Sequence, residues 1–452
     1  MHLEEASLQL LKNSLKKLDE GFASLPVISS EATHDPRLPA VMDEVAVKMQ
    51  DNFPYFHPLY AGQMLKPPHP IARAAYALAT WINPNNHALD GGRASSAMEK
   101  EAVAQIAGMF GWKQFLGHLC GGGTMANLEA LWVAGQLRPG KRIVASDQAH
   151  YTHHRISSVL QLPFAEVSSD DRGRMDLKAL EEKLEASDVG CVVATVGTTG
   201  TASVDPLPEI LKLRERYGFR VHVDSAYGGY FTLAANLHAE TRASYDLIGR
   251  ADSIVIDPHK HGLQPYGCGC VLFRDPSVGA IYKHESPYTY FTSSDLHLGE
   301  ISLECSRAGA SAVALWATQR LLPLVRGGEF ASMLEASRSA AVQFAQRLAD
   351  DGRWLLPLTP ELDIVVWGPR AASASEISEL SQRIFDAAVK QNLHLALIRL
   401  PVRFFTARSG AFQSDRETVL CLRSVLMKPE HREWLDRIWV ILSRVADEVL
   451  AR

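Results

Sequence analysis

The chain has 452 residues, 46% hydrophobic and 21% charged, the balance of an ordinary globular protein with room for two or three core-forming units. A formal net charge of −5 and a pI near 6.4, without a long like-charge tract, remove the electrostatic basis for binding nucleic acid or an anionic membrane, and leave a small molecule as the expected partner. Six cysteines without a CxxC pair, no basic-then-apolar leader and no run of about 18 apolar residues lead us to expect a cytoplasmic protein held by its core, neither exported nor inserted in a membrane.

Residues 1–85 open with an amphipathic helix pattern (Leu8, Leu10, Leu11, Leu15, Leu18) and continue into a stretch punctuated by Pro54, Pro58, Pro67, Pro68 and Pro70. Proline at that density argues against long regular elements, so this portion reads as an arm laid over another surface. From 86 to 325 helical patterns (Met98 to Phe110, Thr124 to Leu137, Leu177 to Ala186, Leu207 to Tyr217) alternate with short apolar runs. Those runs are Arg142 to Ala145, Cys191 to Val196, Arg220 to Val223, Ser253 to Ile256 and Gly269 to Phe273. The alternation predicts an α/β fold with a mainly parallel central sheet covered by helices. A helical pattern from Ser311 to Val325 leads out of this unit, and Gly327-Gly328 is the expected hinge. Residues 326–452 read as a smaller C-terminal α+β domain ending in an amphipathic helix (Trp434, Ile438, Trp439, Ile441, Leu442, Val445).

In an open α/β sheet ligands bind beyond the carboxyl ends of the strands, and the polar motifs of this chain fall where apolar runs end or helices begin. Gly121-Gly122-Gly123-Thr124 precedes a helical stretch, so its backbone N–H groups, the helix dipole and the Thr124 hydroxyl can attract a phosphate; a plain turn is the competing reading. Thr198-Thr199-Gly200 offers a further hydroxyl or another turn. Asp224 closes an apolar run, where a carboxylate is costly unless it faces a cation or several donors; a pyridinium N–H qualifies, and so does an N-cap role. His150 suits stacking on a flat cofactor or a satisfied core position. His153 and His154 lack a completing carboxylate or cysteine, and no metal is expected. Asp257-Pro258-His259-Lys260 follows another apolar run and supplies the candidate Schiff-base lysine, Lys260, with His259 as a phosphate contact or a structural neighbour.

Gly122-Gly123-Thr124-Met125-Ala126-Asn127-Leu128, Ser146-Asp147-Gln148-Ala149-His150, Ala194-Thr195-Val196-Gly197-Thr198-Thr199, His222-Val223-Asp224-Ser225-Ala226-Tyr227 and Asp257-Pro258-His259-Lys260 occur in this order. The sequence resembles the group II pyridoxal phosphate-dependent amino-acid decarboxylases, among them the aromatic amino-acid, glutamate and tyrosine decarboxylases. The resemblance implies a PLP-dependent transferase-like fold (aspartate aminotransferase fold type I) and decarboxylation of an L-amino acid to the amine and carbon dioxide. It implies that Lys260 forms the internal aldimine, Asp224 pairs with the ring nitrogen, His150 stacks on the ring and Ala226 lines its other face. Gly123, Thr124 and His259 would hold the phosphate, with Thr199 near the ring substituents.

Similar enzymes reprotonate the α-carbon from a tyrosine on a mobile loop after the lysine; Tyr288 and Tyr290 qualify, with Tyr288 preferred. Gln63, in a His-Pro segment of the arm, and Arg423, in Leu422-Arg423-Ser424, match substrate-contacting positions. For Arg423 a structural salt bridge is the alternative. The resemblance further implies a homodimer with the active site between subunits. The Gly262-Leu263-Gln264-Pro265-Tyr266-Gly267 run after Lys260 also resembles sphingosine phosphate lyase and archaeal aspartate or tyrosine decarboxylases, which keeps a carbon-carbon or carbon-sulfur lyase as the alternative.

Overall fold

A computed structural model describes residues 5–26, 35–186, 188–283, 296–406 and 412–451. Seven strands form the large sheet: β1 (Leu116–Cys120), β2 (Arg142–Ser146), β3 (Phe164–Val167), β4 (Val189–Thr195), β5 (Arg220–Asp224), β6 (Ser253–Ile256) and β7 (Gly269–Phe273). Their spatial order is β1-β7-β6-β5-β4-β2-β3, with only β7 running against the others. The residues of β4 to β7 are short, largely buried and mostly apolar runs, as expected for strands covered on both faces. The helices Gly123–Leu137, Leu177–Ala186 and Leu207–Tyr217 occupy the intervals that the periodicity predicts.

Two strands escape the sequence pattern. β1 carries a glycine and a histidine, and becomes a strand through its antiparallel pairing with β7. Buried His118 is tolerated there because its ring nitrogens face the Leu119 carbonyl at 2.8 Å and the Glu129 carboxylate at 2.9 Å. β3 is a short edge strand whose residues alternate in burial only weakly. The helix expected from Met98 starts earlier, at Leu89, and kinks at Gly92.

The second sheet is antiparallel throughout, ordered β10-β11-β9-β8, with β8 (Trp354–Leu355), β9 (Ile364–Pro369), β10 (Ala396–Pro401) and β11 (Thr418–Val425). Its core centres on Trp354 and Trp367, whose rings meet edge to face at 4.9 Å, and the terminal helix His431–Leu450 packs over it. Asp363, just before β9, joins the two halves: it accepts a hydrogen bond from the Tyr227 hydroxyl at 2.6 Å and lies 3.2 Å from His261 Nε2. The proline-punctuated segment is stitched across this junction by Ala61 N–H to the His394 carbonyl, Val425 N–H to the Ala61 carbonyl and His69 N–H to the Leu263 carbonyl. The helices Glu5–Glu20 and Leu38–Met49 bury none of their residues and present Leu8, Leu10, Val41, Met42 and Val45 to solvent. Among the described residues no helix is long and apolar enough to cross a membrane.

Candidate active site

Because β1, β2, β4, β5 and β6 run in one direction, the segments that follow them emerge along one edge of the sheet. They enclose a cavity of about 550 Å³ lined by Gly121, Gly122, Gly123, Thr124, His150, Thr195, Thr199, Asp224, Ala226, Asp257, His259 and Lys260, among others. Every cofactor-contacting residue expected from sequence is therefore on this wall.

The glycine turn is shaped for close approach. Gly122 has φ of +147°, a backbone conformation that side chains rarely adopt, and a Cβ on Gly123 would lie 2.8 Å from Asp257 Oδ2. The helix Gly123–Leu137 starts here without a side-chain cap, so its first N–H groups and its dipole face the cavity.

Lys260 projects Nζ to 2.9 Å from Asp257 Oδ2, with a side chain 19% exposed. Asp257 is buried, its Oδ1 has no hydrogen-bond partner among the described residues, and His259 Nε2 stands 3.5 Å from Oδ2. His259 is fixed by accepting the Cys268 N–H on Nδ1 at 3.3 Å and by lying against the Tyr266 ring; burial pulls its pKa down.

Asp224, at the end of β5, is 5% exposed. Oδ1 accepts the Ala226 N–H at 3.1 Å; Oδ2 accepts from His153 Nε2 at 2.8 Å and Asn127 Nδ2 at 3.3 Å. Burial alone would raise its pKa, yet the His153 hydrogen bond, reinforced by the Ala226 N–H, holds the carboxyl well below the usual carboxylate range. His150 is half-buried, its ring set by the Thr152 N–H donated to Nδ1 at 3.2 Å, and burial lowers its pKa, which favours a neutral flat ring.

Gln63 and Arg423 come together but lie off the cavity wall. Arg423, on β11 and 4% exposed, donates Nη2 to the Thr199 carbonyl at 2.7 Å and Nε to the Gly200 carbonyl at 3.0 Å. Its Nη1 reaches the Gly62 carbonyl at 3.4 Å and Gln63 Oε1 at 3.5 Å. In this arrangement the guanidinium clamps the Thr199-Gly200 loop to the N-terminal segment. Tyr288 and Tyr290 lie outside the described residues.

Sequence reasoning did not assign roles to Asp257, Asn127, His153 or Glu304. Asn127 follows Thr124 by one helical turn, a spacing that could have suggested a shared face, and Asp257 stands three residues before Lys260 in the same turn. Glu304, whose Oε2 accepts the Gly121 N–H at 2.8 Å, carries no such signal.

The family described as the pyridoxal-dependent decarboxylase conserved domain matches residues 40–368. An L-tyrosine decarboxylase of Enterococcus faecium is 27% identical over 78% of this chain and 76% of its own length. An L-aspartate decarboxylase of Thermococcus kodakarensis is 26% identical over 80% and 91%. Among solved structures, Oryza sativa TDC with PLP and tryptamine superposes with a TM-score of 0.77 at 18% identity, covering 98% of this chain and 99% of that one. Mouse CSAD gives 0.75 at 19% identity, covering 94% and 92%. These likenesses establish the type I fold.

Proposed function

This chain belongs to the pyridoxal-dependent decarboxylase family, and from that premise we propose which of its residues hold the cofactor and carry the reaction. The reaction is pyridoxal phosphate-dependent decarboxylation of an amino acid to amine and carbon dioxide. The curated relatives named above are decarboxylases, which weighs against the lyase alternative.

The residues present fit the cofactor. Gly122 takes a φ of +147° that side chains rarely adopt, which brings bare backbone to the cavity wall, and two buried polar atoms on that wall, Asp257 Oδ1 and Thr195 Oγ1, have no protein partner among the described residues. The observation that carries the assignment is the convergence of the Lys260–Asp257 pair, buried Asp224 and this uncapped helix start on one cavity. When bound, pyridoxal phosphate supplies an electron sink for the pair of electrons left on the α-carbon.

The N–H groups of Gly123 and Thr124, with the Thr124 hydroxyl and His259, would hold the phosphate. Lys260 would supply the amine that anchors the cofactor covalently, with Asp257, 2.9 Å from its Nζ, orienting it and balancing its charge. Asp224 would accept the N–H of the cofactor ring, His150 and Ala226 would confine its two faces, and Thr199 would contact its substituents. Arg423, braced against Gln63, would shape the substrate side by holding the Thr199-Gly200 loop, and Tyr288 would return the proton to the α-carbon. A homodimer that completes the site between subunits is supported by the apolar faces of Glu5–Glu20 and Leu38–Met49, which a second copy would cover. Free, mostly buried cysteines support a cytoplasmic location.

The test incubates the holoenzyme with each amino acid and follows carbon dioxide and amine by mass spectrometry, with borohydride reduction and peptide mapping of the labelled lysine. Amine formation and a label on Lys260 are expected. Another released fragment without carbon dioxide, or a label on a different lysine, refutes the assignment.

A further inference from the structure

One partner of Asp224 stands outside the cavity. His153 lies on the helix Thr152–Val159, three residues beyond His150, and is 1% exposed. It is absent from the cavity wall, yet it makes the shortest hydrogen bond to Asp224, Nε2 to Oδ2 at 2.8 Å. Since a carboxylate oxygen here only accepts, Nε2 carries the proton. The other ring nitrogen, Nδ1, is buried without a hydrogen-bond partner among the described residues. An unpartnered polar atom in the interior is costly, so the single bond to Asp224 is the interaction that an imidazole supplies here and an apolar ring could not.

The remaining contacts of Asp224 are weaker or more remote. His222 accepts from Ser253 Oγ on Nδ1 and donates Nε2 to Asn127 Oδ1, both at 2.8 Å, and Asn127 then reaches Asp224 at 3.3 Å. With Oδ1 held by the Ala226 N–H and Oδ2 by His153 and Asn127, the carboxylate is prevented from turning.

We propose that His153 is a positioning residue for the cofactor ring: it sets Asp224 as a fixed, ionised acceptor before the ring arrives, and thereby controls affinity for the ring nitrogen rather than for the phosphate or the aldehyde. The role rests on the function proposed above. Burial opposes a charge on Asp224, and the His153 hydrogen bond is the largest contribution opposing that penalty. Outer hydrogen bonds of this kind orient binding groups in the same way around metals, where losing one costs about 10- to 100-fold in affinity.

The experiment measures equilibrium binding to the apoenzyme of wild type, His153→Phe and His153→Gln. Two ligands are titrated by absorbance and fluorescence: pyridoxal phosphate, and an analogue whose ring nitrogen is replaced by C–H. For His153→Phe the expected result is a loss of about 10- to 100-fold for pyridoxal phosphate with the carbon analogue unchanged. His153→Gln, whose amide N–H takes the place of Nε2–H, recovers most of the loss. Equal weakening of both ligands would reduce His153 to packing and overturn the proposal, as would unchanged binding of both. Should His153→Phe not fold, His153→Met replaces it, and equal pyridoxal phosphate affinity for the Met and Gln variants overturns the proposal. A wild-type chain that binds neither ligand overturns the parent assignment together with this one, whereas normal wild-type binding with an indifferent His153→Phe overturns this one alone.

Discussion

Gly123→Ala probes the cofactor cradle through one methyl group. The added Cβ would stand 2.8 Å from Asp257 Oδ2, 3.1 Å from Oδ1 and 3.3 Å from Ala226 Cβ, whereas ordinary contact begins at 3.4 Å. Both carboxylate oxygens are crowded, so rotation of Asp257 gives no relief, and its ion pair with Lys260 at 2.9 Å resists retreat. Overpacking of this kind costs about 1–3 kcal/mol. Asp257 and Lys260 lie on the cavity wall, so the displacement falls on cofactor binding and corresponds to roughly 5- to 150-fold weaker affinity. Titrating the apoenzyme with pyridoxal phosphate measures this, with thermal melts of the apo form to separate binding from folding. Gly108→Ala serves as the control, since nothing lies within 4 Å of its Cβ position and it sits in a helix that alanine favours. Wild-type affinity in Gly123→Ala, with an unchanged melt, would refute the cradle geometry.

Arg423→Met removes a buried guanidinium that bonds the Thr199, Gly200 and Gly62 carbonyls, and should lower the stability by about 3 kcal/mol in chemical denaturation; full stability with a KM raised for acidic amino acids alone would return Arg423 to the substrate pocket. Burial pushes the pKa of His222 and of His431 down to about 3, below their unfolded value of about 6.5. The unfolded chain therefore takes up protons that the folded one refuses, and stability falls as pH drops from 6.5 toward 3, by about 1.4 kcal/mol per pH unit for each histidine. His431→Asn keeps an acceptor for the Lys428 N–H and should flatten the slope of melting temperature between pH 7 and 5; an unchanged slope contradicts the burial argument. Met42→Glu with Val45→Glu, on a helix that buries nothing in this chain, should convert a dimer to monomers in light scattering; an intact dimer would place the interface elsewhere.

The parts of this enzyme whose cause is local were legible in its sequence. Apolar runs of strand length and helical periodicity located β2 and β4 to β7 and the helices between them, and turn chemistry marked the segments after the strands as binding loops. Asp224 could be singled out because a carboxylate closing an apolar run is costly without a partner, and Lys260, His150 and the glycine turn by their place at the ends of apolar runs and by the resemblance of their motifs. β1 was invisible because its strand character comes from β7, a partner far along the chain, and from Glu129 satisfying His118.

Pairings between distant segments were likewise beyond reach. That His153 would meet Asp224, and that Arg423 would spend its donors on Thr199 and Gly200, depends on the order β1-β7-β6-β5-β4-β2-β3 and on how the small sheet docks against it. A histidine in a helix or an arginine in a strand has the same local pattern whatever it touches. Sequence determined which residues would be costly to bury without a partner; the tertiary structure alone decided which partner each one received, because hydrogen-bond distance is set by packing between elements and not by spacing within them.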